Sequence, residues 1–283
     1  MPAGTTLLMG AVAYDPKVVT IWEGFRGWLE HQGLAFDSIL YSNYERQVAD
    51  LLAGRIHAAW NSPLAWIRAE RLAAASGRQV RALVMRDTDR DLTSVVVARA
   101  DSPISGVEDL CGKVVATGAV DSPQATLIPL SHLRACGVEA IVRRFDVGVG
   151  LHGDHLGGER DAARALADGE VDAACMLDAS HLLFTKEGTL TPGSTRVLTQ
   201  TAPYDHCNMT VVDTAPRELA ERFGSLLRSM SYADPSVRRL LDLEGLKVWE
   251  GGRTTGYAAL ARAVDEAGFY DAEGRITAEG YRP

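Results

Sequence analysis

Histidine, carboxylate and thiol side chains fall together at two places in the chain, and each place admits a definite chemistry. His152-Gly153-Asp154-His155, followed by Glu159, puts two imidazoles and two carboxylates within a few residues, donor types that suit a divalent ion. The same stretch also reads as a glycine-rich loop whose polar groups face water, with His155 overhanging a cleft and touching a ligand. The loop is the expected state, without a metal. Tyr204-Asp205-His206-Cys207-Asn208 is the second place. An Asp–His pair can orient a general base there, and a thiol beside an imidazole can become a nucleophile. Neighbouring side chains on extended backbone point to opposite faces, so His206 and Cys207 are not expected to act as a dyad. The competing reading is a hinge segment with a buried cysteine and a hydrogen-bonded histidine. Asp178 and His181 lie three residues apart and share one face if the segment is helical.

Groups like these need a frame, and the chain supplies one by alternating strand-like and helix-like segments. Residues 6–13 read as a buried strand, and residues 18–31 as a helix with Ile21, Trp22, Phe25, Trp28 and Leu29 on one face. A strand over 36–41 follows, then a helix that Asn43 caps and Gly54 ends, then a strand over 56–60. Asn61-Ser62-Pro63 is a polar cap with proline near the first helical position. Further strands are predicted over 80–85 and 94–98. Such alternation implies a largely parallel sheet covered by helices.

A weak internal repeat adds to this. Residues 49–59 and 163–174 both run from a helix end through glycine (Gly54, Gly169) and a β-branched residue to Ala-Ala. Each predicted strand delivers a polar residue to a helix start, Asn61-Ser62 in the first half and Asp178 in the second. Between them, 109–116 reads as a helical turn, a glycine stop and a strand leading to Asp121-Ser122-Pro123-Gln124-Ala125-Thr126 and an apolar helix over 127–133. A helix start of this kind presents unpaired N–H groups and the positive end of the dipole, which attract anions.

Bulk properties narrow the function classes. At 283 residues the chain fits two lobes, and 46% hydrophobic with 23% charged residues is a globular balance. A formal net charge of −8 without a basic stripe excludes a nucleic-acid partner. No segment approaches the roughly 20 apolar residues of a membrane span. The opening MPAGTTLLM lacks a basic n-region and a long apolar run, and the four cysteines are scattered without a CxxC pair. The expected location is therefore cytoplasmic, or periplasmic or lipid-anchored should a leader have been removed. No P-loop, dinucleotide fingerprint, GxSxG or HExxH occurs, and no cofactor is implied.

Taken together, Tyr44 with 47–59, Trp60-Asn61-Ser62-Pro63-Leu64, 109–116, 121–129 and 161–174 resemble the type II periplasmic-binding-protein superfamily, in its phosphate/phosphonate substrate-binding branch. The resemblance implies an α/β fold of two lobes with a ligand cleft between them. Lobe one is expected over 1–97 plus 206–283 and lobe two over 98–205, with crossovers near Ala98 and 203–208 and the tail from Thr214 packing on lobe one. It further implies a ligand shell of Tyr44, Asn61 and Ser62 from lobe one. Ser122, Gln124, Ala125, Thr126 and Asp178 would come from lobe two, with His155 and His206 added from the two segments above. The family's anion-binding segment is Ser-Thr-rich where this chain has Pro123, which lacks an N–H, and Ala125, which lacks a hydroxyl. A carboxylate or zwitterion is thus expected as readily as a phosphonate. Glu159 would repel a phosphonate and Arg160 attract one, and the sequence leaves open which faces inward. Two functions follow: binding a small anionic or zwitterionic molecule for an ABC importer, or a lyase or decarboxylase reusing the fold with His155 or His206 as acid/base.

Overall fold

The structure, a computed structural model, describes residues 6–146 and 155–283, the side chain of His155 excepted. The chain opens with β1 (Leu7–Val12), α1 (Lys17–His31), β2 (Phe36–Tyr41), α2 (Tyr44–Leu52), β3 (Ala58–Asn61), α3 (Pro63–Ala75) and β4 (Val80–Arg86). Next come β5 (Ser94–Arg99), β6 (Val114–Thr117), a π-turn (Pro123–Leu127) running into α4 (Ile128–Ala135), and β7 (Ile141–Arg144). They are followed by α5 (His155–Ala167), β8 (Ala173–Leu177), α6 (Asp178–Glu187) and β9 (Thr195–Gln200). The chain finishes with β10 (Asn208–Val212), α7 (Arg217–Ser229), α8 (Pro235–Glu244), β11 (Trp249–Gly251) and α9 (Ala258–Ala267).

These strands form two sheets, β2-β1-β3-β10-β4-β11 and β7-β6-β8-β5-β9. In the first, β1 runs parallel to β2 and β3, while β10 is antiparallel to β3 and β4. The second repeats the plan: β6 is parallel to β7 and β8, and β5 is antiparallel to β8 and β9. Each sheet therefore takes its antiparallel strand from the chain just after it has crossed between lobes. The sequence repeat falls at equivalent places. Gly54 and Gly169 both adopt positive φ, 70° and 75°, where a Cβ would be strained. Ala58, Ala59, Ala173 and Ala174 have no exposed surface in the centres of the two sheets.

The first crossing comes earlier than the sequence indicates. Ala98 lies inside β5, already in the second sheet, so the chain passes between lobes after Arg86 and before Ser94. The apolar run Val95-Val96-Val97-Ala98 is a buried strand in either lobe, and its sequence does not say which sheet pairs it. The return lies between Gln200 and Asn208. The two crossing segments are bonded to one another: Leu92 and Tyr204 exchange backbone hydrogen bonds of 2.8 Å in each direction.

The tail also departs from expectation. α7 packs on β4 and β11 and α8 on α1, but α9 lies against both α3 of lobe one and α4 of lobe two. Leu260, Ala263 and Val264 share one apolar cluster with Trp66 and Ile67 on one side and Leu127 and Ile128 on the other. A helix apolar on two faces is held from both sides.

Candidate functional site

In an open α/β sheet the carboxyl ends of parallel strands, where helices begin, are the usual ligand crevice. Here four such ends converge from the two lobes. β1 leads to Tyr14, β3 to Trp60 and Ser62, β6 to Asp121 and Gln124, and β8 to Leu177 and Ser180; all of these line one cavity of about 210 Å³. That volume holds about seven water-sized groups, so it suits a small molecule. Tyr44 and Glu45 of α2, Arg86 of β4, and Leu156 and Glu159 of α5 complete the walls. His206 and Cys207 come from the return crossing, and Tyr270 and Tyr281 from the C-terminal tail.

The two helix starts at the cleft are built alike. Ser62 precedes Pro63 and accepts a hydrogen bond from the Ala65 N–H at 3.2 Å; Ser122 precedes Pro123 and accepts from the Ala125 N–H, also at 3.2 Å. Proline removes the first N–H of each turn and the serine cap engages the third. Thr126 turns its hydroxyl to the Ala119 carbonyl at 2.7 Å. The segment that the family resemblance makes an anion cradle thus directs its hydroxyls at its own backbone.

Charge is divided between two ends of the cavity. At one end Arg86 makes a two-point contact with Asp89, 2.5 and 2.9 Å, and reaches the Glu244 carbonyl at 2.8 Å and carboxylate at 3.4 Å. The guanidinium also lies 5.4 Å from the Trp60 ring centre. Burial disfavours the Asp89 charge, but Arg86 and the His206 hydrogen bond outweigh it and hold the carboxyl down at about 2. Glu244 is pushed up to about 7, chiefly by burial. At the other end Glu45 accepts a hydrogen bond from the Tyr281 hydroxyl at 2.8 Å. Burial, then the Glu45 and Asp121 charges, hold the Tyr270 and Tyr281 hydroxyls above the ordinary phenol range. Of the adjacent pair Glu159 and Arg160, Glu159 faces the cavity, receiving the Gln124 amide at 3.1 Å and the Leu177 N–H at 2.9 Å. Arg160 instead pairs with Glu187 at 2.7 Å.

Of the residues singled out from the sequence, Tyr44, Ser62, Gln124 and His206 line the cavity. Asn61 does not: it is fully buried behind the wall, donating to Thr210 and accepting from Gln47 at 2.8 Å each. Ser122, Ala125 and Thr126 are also absent from the lining: the Ser122 hydroxyl accepts from the Ala125 N–H and the Thr126 hydroxyl donates to the Ala119 carbonyl. Asp178 starts α6 outside the cavity, and the lining residue there is Ser180. His181 is turned to Thr195 at 2.9 Å. His152, Asp154 and the His155 side chain lie outside the described residues.

The second cluster differs from its sequence reading in two ways. Asp205 does not orient His206; Arg253 clamps it at 2.6 and 2.7 Å. His206 and Cys207 meet after all, with Nδ1 3.1 Å from Sγ, because the segment is not regular strand there. The acid beside His206 is Asp89, at 3.4 Å. Burial pushes the Cys207 thiol well above its usual range, which favours the neutral thiol over the thiolate. Asp89, His206 and Cys207 lie within 4.8 Å of one another, the spacing of a metal site. Arg86 already donates to both Asp89 oxygens and burial favours the neutral Cys207 thiol, so in the metal-free protein this group reads as a hydrogen-bonded cluster.

Sequence reasoning missed Tyr14, Glu45, Arg86, Tyr270 and Tyr281 of the wall, and all but Glu45 lack a sequence signal pointing to them. A helix start such as Asn43-Tyr44-Glu45 advertises its first residues, and that cue alone could have found Glu45.

This frame and cleft define a class, the two-lobed binding proteins that hold a small molecule between α/β lobes. Within it the chain belongs to the family described as ABC transporter, phosphonate, periplasmic substrate-binding protein, whose model matches residues 10–271. The phosphate-import protein PhnD of Mycolicibacterium smegmatis is 27% identical over 193 residues, covering 66% of this chain and 56% of that protein. The match thus spans little more than half of that curated relative. Among solved structures, PhnD1 from Prochlorococcus marinus in complex with methylphosphonate superposes with a TM-score of 0.66 at 17% identity, over 92% of this chain and 97% of that one. XAC2383 from Xanthomonas citri bound to ATP gives 0.68 at 15% identity, over 93% and 98%. These two likenesses establish the fold. The family description agrees with the periplasmic alternative rather than with the cytoplasmic expectation, and nothing in the comparisons supports the lyase or decarboxylase reading. No described helix is long and apolar enough to cross a membrane.

Proposed function

We propose that the chain is the solute-binding component of an ABC importer, closing its lobes around one small molecule and releasing it unchanged. The observation that carries this reading is the cavity of about 210 Å³ walled by residues of both lobes. Tyr44, Ser62, Gln124 and His206 serve as ligand contacts in this reading. Leu92 and Tyr204 form the paired hinge, where few backbone torsions need change for the lobes to move. Trp60 is a built-in reporter, because it lines the cavity. Titration of its fluorescence with inorganic phosphate, methylphosphonate and 2-aminoethylphosphonate, alongside thermal shifts, tests the proposal. Saturation by at least one of them at one site per chain, with a raised Tm and the compound recovered intact, is the expected result. Consumption of the compound, or no saturation by any of the three, would refute it.

A further inference from the structure

Two chain segments join the lobes, and one side chain outside the cavity grips both. Arg253, in the link between β11 and α9, donates from Nε and from one terminal nitrogen to the Asp205 carboxylate, at 2.7 and 2.6 Å. The same terminal nitrogen donates to Asp91 Oδ1 at 2.7 Å. Asp205 belongs to the return crossing and Asp91 to the outgoing one. The Asp91 N–H completes the ring, reaching Asp205 Oδ1 at 3.2 Å. Asp205 has no exposed surface, and a Cβ on Gly256 would meet its Cγ at 2.2 Å, so the carboxylate is enclosed. A two-point guanidinium–carboxylate fork is directional as well as charged, and it fixes where both partners stand.

The backbone beside the clamp is constrained too. Among the described residues Asp91 is the non-glycine residue with a positive φ, 55°. Left-handed backbone disfavours an L side chain, and a residue kept there marks a place where its surroundings dictate the torsions. Asp91 is followed at once by Leu92, which pairs with Tyr204, and two residues earlier the Asp89 carbonyl receives the His206 N–H at 2.8 Å. The crossings are thus tied at three levels, Asp89 to His206, Asp91 to Asp205 and Leu92 to Tyr204. The middle level runs through the side chain of a third segment. His206 and Cys207, directly after Asp205, line the cavity, whereas Arg253 does not.

We infer that Arg253 is a positioning residue for the cleft: it locks the two crossings into one hinge and thereby sets where His206 and Cys207 stand against the ligand. The second half of the inference rests on the solute-binding proposal; the first does not. Hydrogen exchange on the full, ligand-free chain tests the lock, and calorimetry with 2-aminoethylphosphonate tests its consequence. Arg253→Gln alone would strand the buried Asp205 charge. The informative variants are Asp91→Asn, which removes the exposed arm, and the double variant Asp205→Asn/Arg253→Gln, which removes the fork without leaving a buried charge. Exchange over 87–94 and 201–208 should quicken together, by at least about tenfold in the double variant and about threefold in Asp91→Asn, with the strand amides of both sheets unchanged. Kd should rise at least about fivefold in the double variant. Quickening of neither crossing, of one alone, or of both sheets as well overturns the lock, the last because it marks general destabilisation. Quickened crossings with an unchanged Kd overturn the positioning role. A parent chain that binds none of phosphate, methylphosphonate and 2-aminoethylphosphonate overturns the solute-binding reading and the positioning role together, while the exchange result still decides the lock.

Discussion

The Tyr281 hydroxyl donates to the Glu45 carboxylate at 2.8 Å, joining two residues 236 positions apart at the rim of the cleft. The tail thereby becomes part of the binding wall. Tyr270 and Tyr281 both line the cavity, and Arg71 anchors the tail through the Tyr270 and Asp271 carbonyls at 3.1 Å. Tyr281→Phe keeps the ring and removes one charge-assisted hydrogen bond. Ligand affinity should fall by about threefold to tenfold with little change in Tm, on the order of magnitude for such a bond. An unchanged Kd by calorimetry would show that the tail only packs.

Asn61 is expected to affect stability rather than recognition. It sits in a buried chain of hydrogen bonds running Gln47, Asn61, Thr210, Asn208 and Tyr257, whose hydroxyl reaches the His206 carbonyl at 2.6 Å. Asn61→Ala leaves Thr210 and Gln47 short of partners, a loss of about 2–4 kcal/mol in denaturant unfolding. Kd measured well below the new Tm should change less than about twofold. A large affinity loss at unchanged stability would move Asn61 back into the ligand shell.

Glu244 predicts a pH dependence of stability. Its folded pKa is raised to about 7, above the ordinary 4.5, so the folded state holds the proton more tightly than the unfolded chain. The contribution is fully present below the unfolded value and is lost as pH climbs from there through about 7. The span corresponds to about 3 kcal/mol. Unfolding free energies at pH 5 and pH 7.5 should show a smaller fall in Glu244→Gln than in the parent. Identical slopes would mean that Glu244 is ionised throughout.

The thiols should divide two and two. Cys111 and Cys136 are exposed, whereas Cys175 and Cys207 are buried, with burial raising Cys175 to about 12 and Cys207 well above its usual range. A thiol-reactive disulfide reagent should titrate two groups quickly in the native protein and four after denaturation. A third fast thiol lost in Cys207→Ser would restore the nucleophile reading of Cys207.

Local signals revealed much of the frame. Gly54 and Gly169, the Ala-Ala strands and the Ser-Pro helix starts are short-range patterns, and each specifies its own backbone geometry. The family resemblance, rather than these patterns, pointed to Tyr44, Ser62 and Gln124, which line the cleft. Contacts between distant segments were not legible. Nothing near Asp205 points to Arg253, and nothing in the tail points to Glu45. The choice between Glu159 and Arg160 turned on about 100° of helix rotation, which adjacent polar residues do not fix. Ser122 and Thr126 have the right residue types, yet their hydroxyls serve local backbone groups, a competition that a residue list does not reveal.

The most direct test of the central claim is native mass spectrometry of the purified chain incubated with 2-aminoethylphosphonate, compared with a Leu156→Trp variant. Leu156 lines the cavity and is 38% exposed, so a larger side chain there narrows the cleft without entering the core. A cleft that binds without turning over predicts one adduct per chain, released at its original mass and diminished in the variant. Release of a compound of altered mass, or an adduct equally abundant in the variant, would contradict it.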